Sequence, residues 1–214
     1  MSAQPIRILL TDDHPFMRVA YTSILQQGGD FEVVAEASSG REAYFKTYQC
    51  KPDVVIMDVT LPDVSGIEIT RKIVKRDPDA RVLVSSMHKE LVYAVRALKV
   101  GAGGYITKDC APELLTEAVS QVAAGKTYLV PEIAQKLAMR QLGGDDDPFT
   151  QLSAREFEVL HLVLAGKTIG EIAKALDITS KTVSNISTAL RSKLDVSSTI
   201  ELFRMAMRYG LIDP

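Results

Sequence analysis

The stretch Val54-Val55-Ile56-Met57-Asp58-Val59-Thr60-Leu61-Pro62-Asp63-Val64-Ser65-Gly66 decides how the first part of this chain is read. It opens on a short, continuous apolar run that stops at an aspartate. A run of that length, rich in β-branched residues, suits a strand buried on both faces, as in a parallel sheet. A segment of helical period follows over 66–76. Working outward, the same alternation repeats. Strand-like runs lie at 6–11, 31–37, 82–86 and 105–107, with helical segments near 15–27, 40–50, 90–100 and 112–124. Five strands alternating with five helices predict an α/β fold with a five-stranded parallel sheet covered on both faces. Right-handed crossovers make it doubly wound, and in such sheets the chemistry gathers at the carboxyl ends of the strands.

Polar residues stand at those ends. Asp12 and Asp13 close the first strand and Asp58 the third. Neighbouring strands lie ~5 Å apart, so the three carboxylates converge. Converging carboxylates repel unless a cation sits among them, and Mg2+ suits such oxygen ligands while keeping several waters. Ser86 ends the fourth strand and Lys108 follows the fifth, adding a hydroxyl and a point positive charge. One aspartate at a strand end reads as a turn residue or helix cap. Carboxylates, a metal, a hydroxyl and a lysine on one rim describe a phosphoryl site. There the metal and lysine neutralise phosphoryl oxygens, and a carboxylate can be the nucleophile that becomes an aspartyl-phosphate.

These residues carry a resemblance. Asp12-Asp13 after Ile-Leu-Leu-Thr, the run Val-Ile-Met-Asp58-Val-Thr-Leu-Pro62-Asp-Val-Ser-Gly66, Ser86 and Tyr105-Ile-Thr-Lys108 resemble the receiver domain of response regulators, with its flavodoxin-like fold. The spacings, 28 residues from Asp58 to Ser86 and 22 from there to Lys108, suit that pattern. The resemblance implies that Asp58 is the phosphoacceptor and that a sensor histidine kinase is the donor. It implies Mg2+ held by Asp13, Asp58 and the Thr60 carbonyl, with Asp12 acting through water. Ser86 and Lys108 would bind phosphoryl oxygens, and Tyr105 would rotate into the space that Ser86 vacates. That movement would repack the face formed by the fourth helix, fifth strand and fifth helix.

Gly143-Gly144-Asp145-Asp146-Asp147-Pro148 breaks the pattern and reads as a solvated linker. A short helix near 132–140 precedes it, so the chain divides into 1–127, a linker over 128–148, and 149–214. The last part is all helical. Ser153 with Glu156, and Thr168 with Glu171, are capping-box signatures that open two helices. Three residues, 177–179, lead to a longer helix capped by Ser180 and running to about 194. A fourth helix spans about 198–209, with Gly210 as its C-cap. Two helices on so short a connection make a helix-turn-helix, in an all-α four-helix domain.

This tail resembles the LuxR-type DNA-binding domain of the NarL/FixJ class through Leu152-Ser-Ala-Arg-Glu156-Phe-Glu158-Val-Leu160, Glu171-Ile-Ala173, Ile178-Thr-Ser-Lys-Thr182-Val183 and Lys193-Leu194-Asp-Val196. On a helical wheel Val183, Ile186, Leu190 and Leu194 form the core stripe. Lys181, Ser184, Asn185, Thr188 and Ser192 lie opposite, with Arg191 at the flank. The resemblance implies that this helix enters the major groove of double-stranded DNA. Asn185 suits an adenine edge, while Lys181, Arg191 and Lys167 suit phosphates. Ser184, Ile186 and Ile169-Gly170 depart from the family's lysine, histidine and asparagine-lysine, so fewer cations are available to displace counterions.

Charge is balanced: 17 basic against 20 acidic residues before position 149, and 8 against 7 after it. Nucleic-acid binding therefore needs a local patch. Cys50 and Cys110 form no metal or disulfide pattern. With no transmembrane-length run, a cytoplasmic protein is expected. His14 and His88 read as loop residues, the latter solvated; His161 reads as helix surface and Cys110 as a small filler. The resulting expectation is a phosphorylation-controlled transcription regulator that homodimerises on paired half-sites. The alternatives are a protein-interaction module whose helical domain has weak or lost DNA binding, and an aspartyl-phosphate hydrolase. The hydrolase is disfavoured because such enzymes place their nucleophile in a DxD pattern after the first strand.

Overall fold

A computed structural model describes residues 4–27, 29–143, 148–209 and 211–212. The chain divides into two units, Met1–Met139 and Arg140–Pro214. Most of the acidic linker and the Gly210 cap lie outside the described residues. Among the described residues no helix is long and apolar enough to cross a membrane.

The first unit alternates β1 (Ile6–Thr11), α1 (Pro15–Gln26), β2 (Phe31–Ala37), α2 (Gly40–Cys50), β3 (Val54–Asp58), α3 (Gly66–Arg76), β4 (Val82–Ser86), α4 (Leu91–Lys99), β5 (Gly104–Thr107) and α5 (Pro112–Ala123). All neighbouring strands pair in parallel. β3, β4 and β5 are buried along their whole length, including the polar residues Asp58, Ser85, Ser86 and Thr107 at their carboxyl ends. α1 packs with α5, while α3 touches both α2 and α4.

Among the described residues the sheet has six strands where five are expected. A two-residue strand, β6 (Tyr128–Leu129), pairs with Gly104 and Tyr105, giving the order β2-β1-β3-β4-β5-β6. Two residues carry no period, so this strand was indistinguishable from linker. Gly104 permits the pairing, since a Cβ there would lie 2.7 Å from the Tyr128 carbonyl oxygen. α6 (Pro131–Gly143) follows at once and is longer than the helix expected there.

The second unit opens with a 3-10 turn at Pro148–Gln151, then α7 (Ala154–Leu164), α8 (Ile169–Ala175), α9 (Ser180–Leu194) and α10 (Thr199–Arg208). Phe149, Phe157, Leu160, Ile172, Val183, Leu190, Leu194 and Leu202 are buried and form its core. The capping boxes at Ser153/Glu156 and Thr168/Glu171 are both present, with a third at Ser198/Glu201. Each satisfies two backbone N–H groups that the first helical turn leaves unpaired. The cap of α9 is Thr179 rather than Ser180: its hydroxyl accepts from the Thr182 N–H, and Ser180 is already helical. Either hydroxyl suits a cap, and the extended backbone at Thr179 decides between them.

Candidate acidic site and reading helix

The chain leaves β1 for β2 on one side and later for β3 on the other. The carboxyl ends of β1 and β3 therefore flank the switch point of the sheet, where ligands of such folds bind. Thr11 pairs with Met57, which sets Asp12 beside Asp58, and Asp58 pairs with Ser85. Lys108 leaves β5 with its N–H donated to the Ser86 carbonyl, 2.8 Å away. Its Nζ lies 2.6 Å from Asp12 Oδ2 and 2.7 Å from Asp58 Oδ2. All three side chains are nearly inaccessible, at 2–4% exposure. Burial pushes Asp58 up to about 6, against the opposing pull of Lys108. Lys108 is driven down by burial, but the two carboxylates hold it above its ordinary value.

The second carboxylate oxygens face elsewhere. Asp58 Oδ1 accepts from the Thr60 N–H at 3.2 Å, and Asp12 Oδ1 from the His14 N–H at 2.9 Å. Asp13 Oδ1 is buried with no hydrogen-bond donor aligned to it, although His14 Nδ1 lies 2.6 Å away. Asp12, Asp13, His14 and Asp58 each offer a ligand atom, all within 4.8 Å of one another. One lysine cannot neutralise three carboxylates. The pocket is the acidic kind that suits a hard divalent cation: an oxygen-rich donor set with an orphaned buried oxygen.

The loop after Asp58 is built tightly. Gly66 donates its N–H to the Val59 carbonyl at 2.9 Å, and a Cβ there would fall 1.8 Å from the Asp58 carbonyl oxygen. No other residue fits without moving the end of β3. Asp63 accepts from the Gly40 and Arg41 N–H groups at the start of α2. Burial opposes its charge, but these backbone donors hold its carboxyl below the usual range. Sequence reading missed Asp63, because its partners lie 22 and 23 residues upstream.

Ser86 and Tyr105 meet at the loop after β4. Ser86 Oγ accepts from the His88 N–H at 3.1 Å, and the Tyr105 hydroxyl donates to the His88 carbonyl at 2.7 Å. Tyr105 is fully buried. His88 is not the solvated loop residue expected. α4 brings the Tyr93 ring beneath it, stacked at 4.0 Å and 10°. A further buried pair, Tyr21 hydroxyl to Ser85 Oγ at 2.8 Å, lies beside the acidic residues and was also missed.

On α9, Val183, Leu190 and Leu194 are buried and Ile186 is half-buried. Lys181, Ser184, Asn185, Thr188 and Ser192 are exposed, as is Lys167 before α8. Arg191 is half-buried and donates to Thr199 Oγ1 at 3.0 Å, so α10 ties it in place. Lys193 pairs with Glu156 at 2.7 Å. Ser184 and Thr188 donate their hydroxyls to carbonyls one turn back in the same helix.

Comparison with known proteins agrees with this arrangement. Residues 8–120 match the response regulator receiver domain, and residues 150–206 match the bacterial regulatory proteins of the luxR family. The chain is 36% identical over 210 residues to the response regulator GacA of Pseudomonas viridiflava, covering 97% of this chain and 98% of that one. It is 33% identical over 208 residues to the response regulator UvrY of Escherichia coli K12, covering 96% and 95%. It also resembles the structure of RcsB from Salmonella enterica serovar Typhimurium bound to promoter P1flhDC in the presence of phosphomimetic BeF3- (TM-score 0.67, 25% identity, 97% of this chain and 99% of that one). These matches set aside the phosphohydrolase alternative. The chain belongs to the response regulators of two-component signalling, in which a receiver domain is joined to a LuxR-family helix-turn-helix domain.

Proposed function

We propose that Asp58 accepts a phosphoryl group from the phosphohistidine of a sensor kinase and that the phosphorylated chain, as a homodimer, binds promoter DNA through α9. The observation that carries this proposal is the buried pairing of Asp12 and Asp58 on one lysine, beside an orphaned Asp13 oxygen at the switch point of the sheet. In the transfer an Asp58 oxygen attacks phosphorus, the N–P bond of the donor breaks, and its electron pair stays on the leaving imidazole. Lys108 releases Asp58 Oδ2 and pairs with a phosphoryl oxygen, remaining anchored by Asp12. Asp13, Asp58 and the Thr60 carbonyl would hold Mg2+, with Asp12 acting through water. The ion supplies neutralisation of phosphoryl charge. Burial already destabilises the Asp58 charge, which favours converting this carboxylate to an acyl phosphate whose charge lies outward.

Ser86 then turns from the His88 N–H toward a phosphoryl oxygen. Tyr105 is packed against the same loop, so its contact with the His88 carbonyl registers that movement. In the helical unit, Ser184, Asn185 and Thr188 face the bases, and Lys167, Lys181 and Arg191 the phosphates, over a domain of 149–214. The RcsB relative, solved on a promoter with a phosphomimetic, supports the coupling of acceptor to DNA. Gel-shift titration of unphosphorylated and phosphodonor-treated protein against a selected DNA pool tests it. Retardation should appear or strengthen on phosphorylation, and its absence in both samples would leave the protein-interaction alternative.

A further inference from the structure

His14 stands where the chain's acidic pair meets a proline. Pro15 occupies the first turn of α1 and holds His14, the residue before it, in the extended region at φ −86°, ψ 112°. His14 is the N-cap, yet its side chain makes no capping bond. Instead its backbone N–H is held by Asp12 Oδ1, and its Nδ1 lies 2.6 Å from Asp13 Oδ1 and 3.4 Å from Asp12 Oδ1. The pocket therefore has two sides. The Oδ2 atoms of Asp12 and Asp58 point to Lys108. The Oδ1 atoms of Asp12 and Asp13 point to an imidazole nitrogen, and the Asp13 atom is buried without an aligned donor. A nitrogen and an oxygen that approach this closely without hydrogen-bond geometry between them would both be available to one cation held among these side chains.

We infer that His14 Nδ1 is a ligand of the pocket cation, and that it biases the site toward first-row transition ions of the Mn2+ class over Mg2+. Imidazole nitrogen binds Mg2+ poorly and transition ions well, whereas carboxylates and carbonyls serve both. An all-oxygen pocket discriminates weakly between Mg2+ and Mn2+; one nitrogen at its rim adds preference without closing the open positions that a phosphoryl group needs. The imidazole is two-thirds exposed, so its replacement leaves the core of the unit untouched. The assignment rests on the acidic pocket being the cation site proposed above.

The test is Mn2+ titration of the full-length protein by electron paramagnetic resonance, with electron spin echo envelope modulation to detect nitrogen on the metal. The wild type is compared with His14→Gln and Asp13→Asn. The expected result is a 14N modulation that His14→Gln removes, with a roughly tenfold loss of Mn2+ affinity and little change in Mg2+ affinity measured by competition. Mn2+ binding that Asp13→Asn weakens, but without 14N modulation, overturns the role of His14 and leaves the acidic site standing. Equal losses of Mn2+ and Mg2+ affinity in His14→Gln also overturn the selectivity. Mn2+ binding that neither variant alters overturns both the His14 ligand and the cation site itself.

Discussion

The acidic pocket and the exposed face of α9 solve opposite electrostatic problems. In the pocket, charges that would rather be in water are buried and locked against one another by strand ends, Lys108 and a tight glycine loop. On α9, polar groups stay in water and almost nothing holds them. Lys181, Asn185 and Thr188 are exposed, and the two cations near the end of the helix are tied to Thr199 and Glu156. Burial makes the first region sensitive in stability to single charges. Exposure makes the second insensitive in stability and sensitive only in binding.

Removing Lys108 should give the largest effect. Lys108→Ala leaves buried carboxylates without their cation and should lower the stability of the receiver unit by about 3 kcal/mol at neutral pH, read by denaturant unfolding. Mg2+ should recover part of the loss. Asp58→Asn should act in the opposite sense. The folded-state value of Asp58, about 6, lies above its ordinary 3.8. The stability that this group contributes is thus present below about pH 4 and lost as pH rises through about 6. Relieving it should raise stability on the order of 2–3 kcal/mol above pH 7 without divalent ions, and the gain should vanish near pH 4. If melting curves of the two proteins instead stay parallel from pH 4 to 8, Asp58 is not strained by burial.

The second region should answer in DNA binding alone. Asn185→Ala should cost about 1–3 kcal/mol of affinity, concentrated at one base position, with stability unchanged within about 0.5 kcal/mol. Lys181→Ala should weaken all sequences alike and reduce the salt slope of binding by about one. The smallness of the second effect is what the sparse cations of α9 imply.

The same contrast explains what could be read from sequence. Strand ends are periodic and bounded, so Asp12, Asp13, Asp58, Ser86 and Lys108 could be placed on one rim from spacing alone, and the structure brings Asp12, Asp58 and Lys108 within hydrogen-bonding reach. The wheel of α9 was legible because burial follows the helical period. What escaped was set by long-range contact. β6 is too short to carry a pattern, and Asp63 caps a helix far upstream. His88 depends on a ring from the next helix, and Tyr21 on a hydroxyl 64 residues away. The choice of Thr179 over Ser180 depended on one backbone angle that neither residue type dictates.

The most direct measurement is phosphoryl incorporation from a small phosphodonor with Mg2+, followed by intact-protein mass on wild type and Asp58→Ala. A single phosphoryl adduct, labile to base and to hydroxylamine, should form on the wild type and be absent from the variant. An adduct of equal yield on Asp58→Ala would contradict the assignment of this carboxylate as the acceptor.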